Sequence, residues 1–168
     1  MQKNITKSKE ETQKFAKNFA KNLLAKSGLA NRKTSLIVGL YGNLGAGKTT
    51  FIQGFAKGIG IKEKITSPTF VIFKKFKIAQ KSPTNRKPEI ANKTQGANFK
   101  NFIHIDAYRI ENPKEFIILK WNELIKNPYN VILIEWADKI KKILPKNYIK
   151  INFKFIDENK REITISKF

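Results

Sequence analysis

The sequence predicts an α/β protein of three layers, with helices on both sides of a mixed, largely parallel central sheet and a C-terminal antiparallel hairpin. Three observations carry that prediction. A short apolar run, Ser35 to Leu40, leads into a glycine-rich loop and then into helical periodicity at Phe51, Ile52, Phe55 and Ala56. A second apolar run, Val131 to Ile134, ends on an acid, Glu135; four continuous apolar residues mark a strand buried on both faces, as in parallel sheets. Near the C-terminus, Tyr148 to Ile156 and Glu162 to Phe168 read as strands joined by Asp157-Glu158-Asn159-Lys160, a hairpin.

Composition sets the outer bounds. The 168 residues are enough for one domain with a real core, and 40% apolar residues exclude a disordered chain. The absence of cysteine excludes disulfides and thiolate metal sites. No apolar run approaches the ~20 residues that span a bilayer, and Met1 to Glu11 is polar, without an apolar signal core. A soluble cytoplasmic protein with no membrane contact is the expectation. The formal charge is +21, from 34 Lys+Arg against 13 Asp+Glu. Such a field attracts nucleic-acid phosphates, or it reflects base bias behind a lysine-, asparagine- and isoleucine-rich composition. The scatter of the lysines along the whole chain favours the second reading.

In chain order, Glu10 to Lys26 is an amphipathic helix: Phe15, Phe19 and Leu23 recur at i, i+4 and i+8, with Ala16, Ala20 and Leu24 beside them. Ser8 with Glu11 forms a capping box, and Gly28 closes the helix. After the first strand, Gly42-Asn43-Leu44-Gly45-Ala46-Gly47-Lys48-Thr49-Thr50 fits the phosphate-binding pattern G-x-x-x-x-G-K-[ST]. Its glycines let backbone N–H groups turn inward around an anion, Lys48 reaches the β- and γ-phosphates, and the Thr49 hydroxyl suits a magnesium ion. The positive end of the following helix faces the same anion. A glycine-rich turn with an accidental Gly-Lys-Thr is the alternative, and the flanking strand and helix argue against it. The fold class is therefore α/β of the P-loop NTPase type, one domain over 1–168.

Beyond the loop's helix, Pro68 holds Ser67 extended, and the hydroxyls of Thr66, Ser67 and Thr69 suit a γ-phosphate or its metal, or else an ordinary turn. Val71 to Phe76 reads as a strand. Lys77 to Lys100, interrupted by Ser82-Pro83, Lys87-Pro88 and Gly96, reads as a long basic loop inserted at about 77–100. Phe102 to Tyr108 is a strand whose alternation places Phe102, His104, Asp106 and Tyr108 on one face and Ile103, Ile105 and Ala107 on the other. The polar face either forms a site or meets solvent, and the histidine is read as a packing or positioning residue. Pro113 to Lys126 reads as one helix capped by Asn112. Glu135, at the C-terminal end of a buried strand, stands where open α/β sheets bind ligands; in a P-loop protein that carboxylate holds magnesium or orients water, the alternative being a plain loop start. Trp136 then packs or covers a nucleotide, and Ala137 to Leu144 reads as a short basic helix stopped by Pro145.

Four stretches together resemble the TsaE family: Gly42 to Phe51, Thr66-Ser67-Pro68-Thr69-Phe70, His104-Ile105-Asp106-Ala107-Tyr108-Arg109, and Ile134-Glu135-Trp136 with Leu144-Pro145 beyond. The resemblance covers essentially the whole chain. It implies a bacterial ATPase required for threonylcarbamoyl-adenosine modification of tRNA beside the anticodon. It implies ATP and Mg2+, and as partners the TsaD and TsaB proteins, with tRNA met indirectly through that complex. The family does not itself make the threonylcarbamoyl-adenylate donor, and its hydrolysis resets the partner complex. Carried over by position, Gly45, Ala46, Gly47, Lys48, Thr49 and Thr50 bind phosphates. Thr49 and Glu135 are the magnesium ligands, and Asp106 is a second acid near metal or water. Trp136 matches the family's tryptophan, and Lys9 to Thr12 its stretch near the adenine. Lys48, Asp106 and Glu135 are then the catalytic set. Asn43 departs from the family's frequent Asp, Ala137 from its frequent Pro, and the Lys77–Lys100 loop is longer than usual. Two rival classes remain at this stage: a small-molecule kinase with the same loop, for which Arg86 and Arg109 are the candidate lid arginines, and a basic RNA-binding module in which ATP is structural.

Overall fold

A computed structural model describes residues 2–25, 32–66, 72–79, 99–112, 114–118 and 120–167. Its elements run β1 (Gln2–Thr6), α1 (Lys9–Ala25), β2 (Leu36–Tyr41), α2 (Lys48–Gly58), β3 (Phe73–Lys77), β4 (Asn101–Asp106), α3 (Glu115–Ile118), α4 (Trp121–Lys126), β5 (Asn130–Glu135), β6 (Ile149–Phe155) and β7 (Arg161–Lys167). The seven strands form one sheet in the order β1-β7-β6-β2-β5-β4-β3. Its centre is parallel, β2 pairing with β5 and β6, and β5 with β4. Both flanks are antiparallel: β3 on β4, and β1 on β7 on β6. This is the three-layer α/β arrangement with the expected terminal hairpin.

The side-chain alternation of the strands divides the core in two. Leu36, Val38, Leu40, Phe102, Val131 and Leu133 face α1 and α2, while Ile37, Ile103, Ile105, Ile132 and Ile134 face α3, α4 and the segment around Ala137 to Ile143. The central strands β2 and β5 are buried along nearly their whole length, which is why their sequences lack a polar face.

Helix α1 covers the first face by lying along α2. Phe19 meets Phe51 and Phe55 with ring centroids 5.9 and 6.3 Å apart. The backbones approach closely because α2 carries Gly54 and Gly58, one turn apart: a Cβ on Gly54 would strike the Gln13 carbonyl, and one on Gly58 would stand 2.6 Å from the Lys17 carbonyl oxygen. The start of α1 modifies the expected capping box. The Glu11 N–H donates to Ser8 Oγ (3.1 Å), but the Glu11 carboxylate accepts from Lys7 N–H (2.7 Å), one residue before the cap.

Three expectations are corrected. The predicted single helix over Pro113 to Lys126 is two short helices, broken at Lys120, whose φ is 51°. Phe116 and Trp121 pack edge-to-face at 5.4 Å. Five residues apart in one continuous helix they would point about 140° from each other; the break lets both reach the core. The predicted helix over Ala137 to Leu144 is a run of turns holding one 3-10 turn, Lys141–Ile143. There the Ala137 N–H donates to the Leu40 carbonyl (3.3 Å) across the sheet instead of starting a helix. The N-terminal stretch contributes a strand, β1, that its polar sequence did not signal: its one large apolar residue, Ile5, is 53% exposed, and pairing with β7 at the sheet edge holds it. The Gly28 helix stop, Pro113, Ser67 to Phe70 and most of the 77–100 loop lie outside the described residues. Among the described residues, no helix is long and apolar enough to cross a membrane.

Gly54→Ala tests the close approach of α1 and α2. In an exposed helix that change stabilises by about 1 kcal/mol. Here it should destabilise by about 1–3 kcal/mol, as overpacking does, read from the urea midpoint. A rise in the midpoint would show that the helices do not touch at this position.

Candidate active site

Parallel pairing brings the C-terminal ends of three strands to one edge of the sheet. The ladder aligns Leu40 with Glu135 and Asp106 with Glu135, so the loop after β2 and the last residues of β4 and β5 stand side by side. Glu135, Asp106 and His104 project toward the face covered by α2, because they keep the alternation set by Phe102, Val131 and Leu133.

The loop from Gly42 to Gly47 is shaped by its glycines. Gly42 has φ of +134°, and a Cβ there would collide with the Phe153 carbonyl of β6. Gly47 caps α2 without a side chain, and the first turn of α2 carries no acid. The amides and positive end of that turn are therefore available to an anion in the loop. Ala46 is buried, and its N–H closes the loop on the Asn43 carbonyl (3.2 Å). Asn43 takes part through its backbone, so the missing Asp costs the cradle no hydrogen bond.

Lys48 opens α2 and is only 4% exposed. Its Nζ donates to the carbonyls of Gly42 (2.6 Å) and Asn43 (2.9 Å) and lies 3.8 Å from the Trp136 ring centroid. Burial lowers its pKa below the ordinary lysine value, while Glu135, Asp106 and Asp138 pull it back up. Trp136 takes a left-handed backbone, φ 57°. That conformation costs a bulky residue roughly 1–3 kcal/mol and tends to cluster at functional sites. It turns the ring under Lys48, with Tyr108 5.0 Å away.

Thr49, the next residue of α2, is fixed to the end of β5. Its hydroxyl lies 2.9 Å from each carboxylate oxygen of Glu135, which is 3% exposed. His104 Nε2 stands 2.9 Å from Glu135 Oε1, and the imidazole is fully buried. His104 and Asp106 of β4 thus join a site, while Tyr108, expected on the same strand face, lies beyond the end of β4 and is half-exposed. Asp106 is half-buried beside Glu135, and its carboxylate accepts the Tyr108 N–H (3.0 Å). The hydroxyl and carboxylate oxygens of Thr49 and Glu135 are hard donors of the type a magnesium ion takes. Among the described residues no group of three or more His, Cys, Asp or Glu side chains forms a metal cage. A magnesium ion that shares its ligands with phosphates and water needs only one or two from the protein.

Gly45, Ala46, Gly47, Lys48, Thr49, Thr50, Asp106, Glu135 and Trp136 are therefore gathered into one site. Ser67 and Thr69 lie outside the described residues. In the Lys9–Thr12 stretch, the Thr12 hydroxyl is buried and bonded to Thr6 (2.7 Å), while the neighbouring Gln13 reaches Gln53 of α2 (3.0 Å). Sequence reasoning missed Arg161. From the start of β7 its Nε donates to the Gly45 carbonyl (3.2 Å), while Nη1 binds the Asp157 carbonyl (2.6 Å) of its own hairpin. It is this arginine that stands at the loop; Arg109 is exposed, and Arg86 lies outside the described residues. The only local signal was an arginine just after a polar turn, since the contact spans 116 residues of sequence.

A family model described as threonylcarbamoyl adenosine biosynthesis protein TsaE matches residues 6–163. The chain belongs to the TsaE family. Among its relatives, the tRNA threonylcarbamoyladenosine biosynthesis protein TsaE of Rickettsia typhi is 37% identical over 161 residues, covering 95% of this chain and 91% of that protein. The protein of the same name from Bacillus subtilis is 32% identical over 155 residues, covering 85% and 77%. The crystal structure of Bacillus subtilis YdiB superposes with a TM-score of 0.61 at 28% identity, over 99% of this chain and 84% of that one. The match bears out the expected family and α/β fold, and it ties this TsaE chain to threonylcarbamoyl-adenosine biosynthesis in tRNA. At Ala137, where the family resemblance implies proline, the N–H bonded to Leu40 is one that proline lacks.

The stacking of Lys48 on Trp136 is open to a double-mutant cycle. Lys48→Met and Trp136→Leu, alone and together, should return a coupling of about 0.5–2 kcal/mol in urea unfolding. Additive effects would contradict the contact.

Proposed function

We propose that this chain binds ATP with Mg2+ and hydrolyses it in the service of threonylcarbamoyl-adenosine modification of tRNA next to the anticodon, acting on the TsaD–TsaB complex. The observation that supports the reading most is the contact of Thr49 with Glu135. It joins the residue after the loop lysine to the acid that ends the neighbouring parallel strand, and it sets two hard oxygen donors where the β- and γ-phosphates of a nucleotide in the loop would end.

The chain's own groups divide the work. The loop amides and the start of α2 hold the triphosphate. Lys48 already lies inside the loop, and an incoming phosphate replaces its two carbonyl acceptors with charged ones, a stronger pairing for an ammonium. Thr49 and Glu135 would hold Mg2+, which would supply charge neutralisation to the triphosphate. Asp106, beside Glu135, orients the attacking water. Trp136, held by its left-handed turn, keeps bulk water from Lys48. Electrostatic positioning of this kind supplies most of the barrier lowering in phosphoryl transfer. Closure onto the γ-phosphate is completed in the partner complex, so turnover of the isolated chain is slow.

Purified with TsaD and TsaB, Lys48→Ala and Glu135→Ala should each lower ATP turnover by about 100-fold or more while the far-UV spectrum stays native. Neither variant should restore threonylcarbamoyl-adenosine to tRNA in cells depleted of the wild-type chain. Unchanged turnover in either variant would overturn the assignment. Phosphate appearing on an added small acceptor instead of in solution would make the chain a kinase.

A further inference from the structure

We propose that His104 is a positioning residue that fixes which oxygen of Glu135 is left for the metal. The inference rests on the Mg-ATP reading of the site. His104 lies on β4, fully buried, two residues before Asp106. Its Nε2 meets Glu135 Oε1 at 2.9 Å. Its Nδ1 is buried and has no hydrogen-bond partner among the described residues. That asymmetry sets the tautomer. A buried N–H without an acceptor forfeits a full hydrogen bond, whereas an N–H on Nε2 has the carboxylate to donate to. An N–H on Nε2, facing Glu135, is therefore the arrangement that fits.

The consequence falls on Glu135. Oε1 is held by both His104 and Thr49, while among the described residues Oε2 has the Thr49 hydroxyl alone. A metal on the Thr49 oxygen would take a lone pair and leave a single O–H, which cannot serve both carboxylate oxygens. His104 would then hold Oε1 from the protein side and leave Oε2 to the metal. Partners that fix a ligating carboxylate in this way typically change metal affinity by 10- to 100-fold. A leucine would fill the buried space but could not donate, so a packing role and a positioning role separate experimentally.

The test is calorimetric titration of a non-hydrolysable ATP analogue, with and without Mg2+, into wild type, His104→Leu and His104→Gln. His104→Leu should cut the Mg2+-dependent gain in affinity about ten-fold and leave metal-free affinity within about two-fold. His104→Gln, whose amide N–H can donate in place of Nε2, should recover most of the loss. An unchanged Mg2+ gain in His104→Leu, or no recovery in a folded His104→Gln, overturns the proposal. Wild type alone reports on the underlying reading: without analogue binding, or without any Mg2+ gain, that reading falls and this inference with it. If the variants fail to fold, the wild-type imidazole decides. It is the only histidine in the chain, so its 15N resonances need no assignment. Protonation at Nε2 with a bare Nδ1 supports the proposal, and a proton on Nδ1 instead overturns it.

Discussion

The contact between Thr49 and Glu135 is the constraint around which the chain is arranged. It can form only if the N-terminus of α2 and the C-terminus of β5 meet at one edge of the sheet. That meeting requires β2 and β5 to be parallel neighbours in the register that aligns Leu40 with Glu135. The buried apolar strands supply the register, since a one-residue slip would turn Glu135 into the opposite core and Ile134 toward the loop. Aromatic packing of α1 on α2 then holds the helix whose first turn completes the site.

The site stores unfavourable electrostatics and local strain in a well-packed frame. A lysine buried to 4% exposure, a glutamate to 3% and a tryptophan at positive φ all lie within one small volume. Each is costly alone. Together Lys48 and Glu135 offset part of each other's desolvation, and Trp136 lends the ammonium its ring face. The carbonyls of Gly42 and Asn43 hold the Lys48 ammonium inside the loop. The fully buried sheet beneath the site, with Val38, Leu133 and Ile134 at 0% exposure, is what can tolerate this arrangement.

Much of this was legible in the sequence because its signals are local. The loop pattern, the continuous apolar run ending in Glu135 and the alternation of Phe102, His104 and Asp106 each gave the right element and the right face. What escaped depends on distant partners. Arg161 reaches Gly45 only through the fold of the terminal hairpin. Strand β1 exists because β7 offers an open edge, not because its residues alternate. The region from Glu115 to Lys126 has helical periodicity, yet the pairing of Phe116 with Trp121 breaks it in two. The turns after Trp136 belong to the sheet through Leu40, a bond that no propensity encodes.

The central claim is that the loop over residues 42–50 and the Thr49–Glu135 pair form one metal–nucleotide site. A crystal structure with Mn2+ and a non-hydrolysable ATP analogue, with the metal located by its anomalous signal, addresses it most directly. The account predicts a triphosphate wrapped by the loop and a metal about 2.2 Å from Thr49 Oγ1, with Glu135 bound directly or through one water. A metal bound elsewhere, or a nucleotide whose phosphates lie outside the loop, would contradict it.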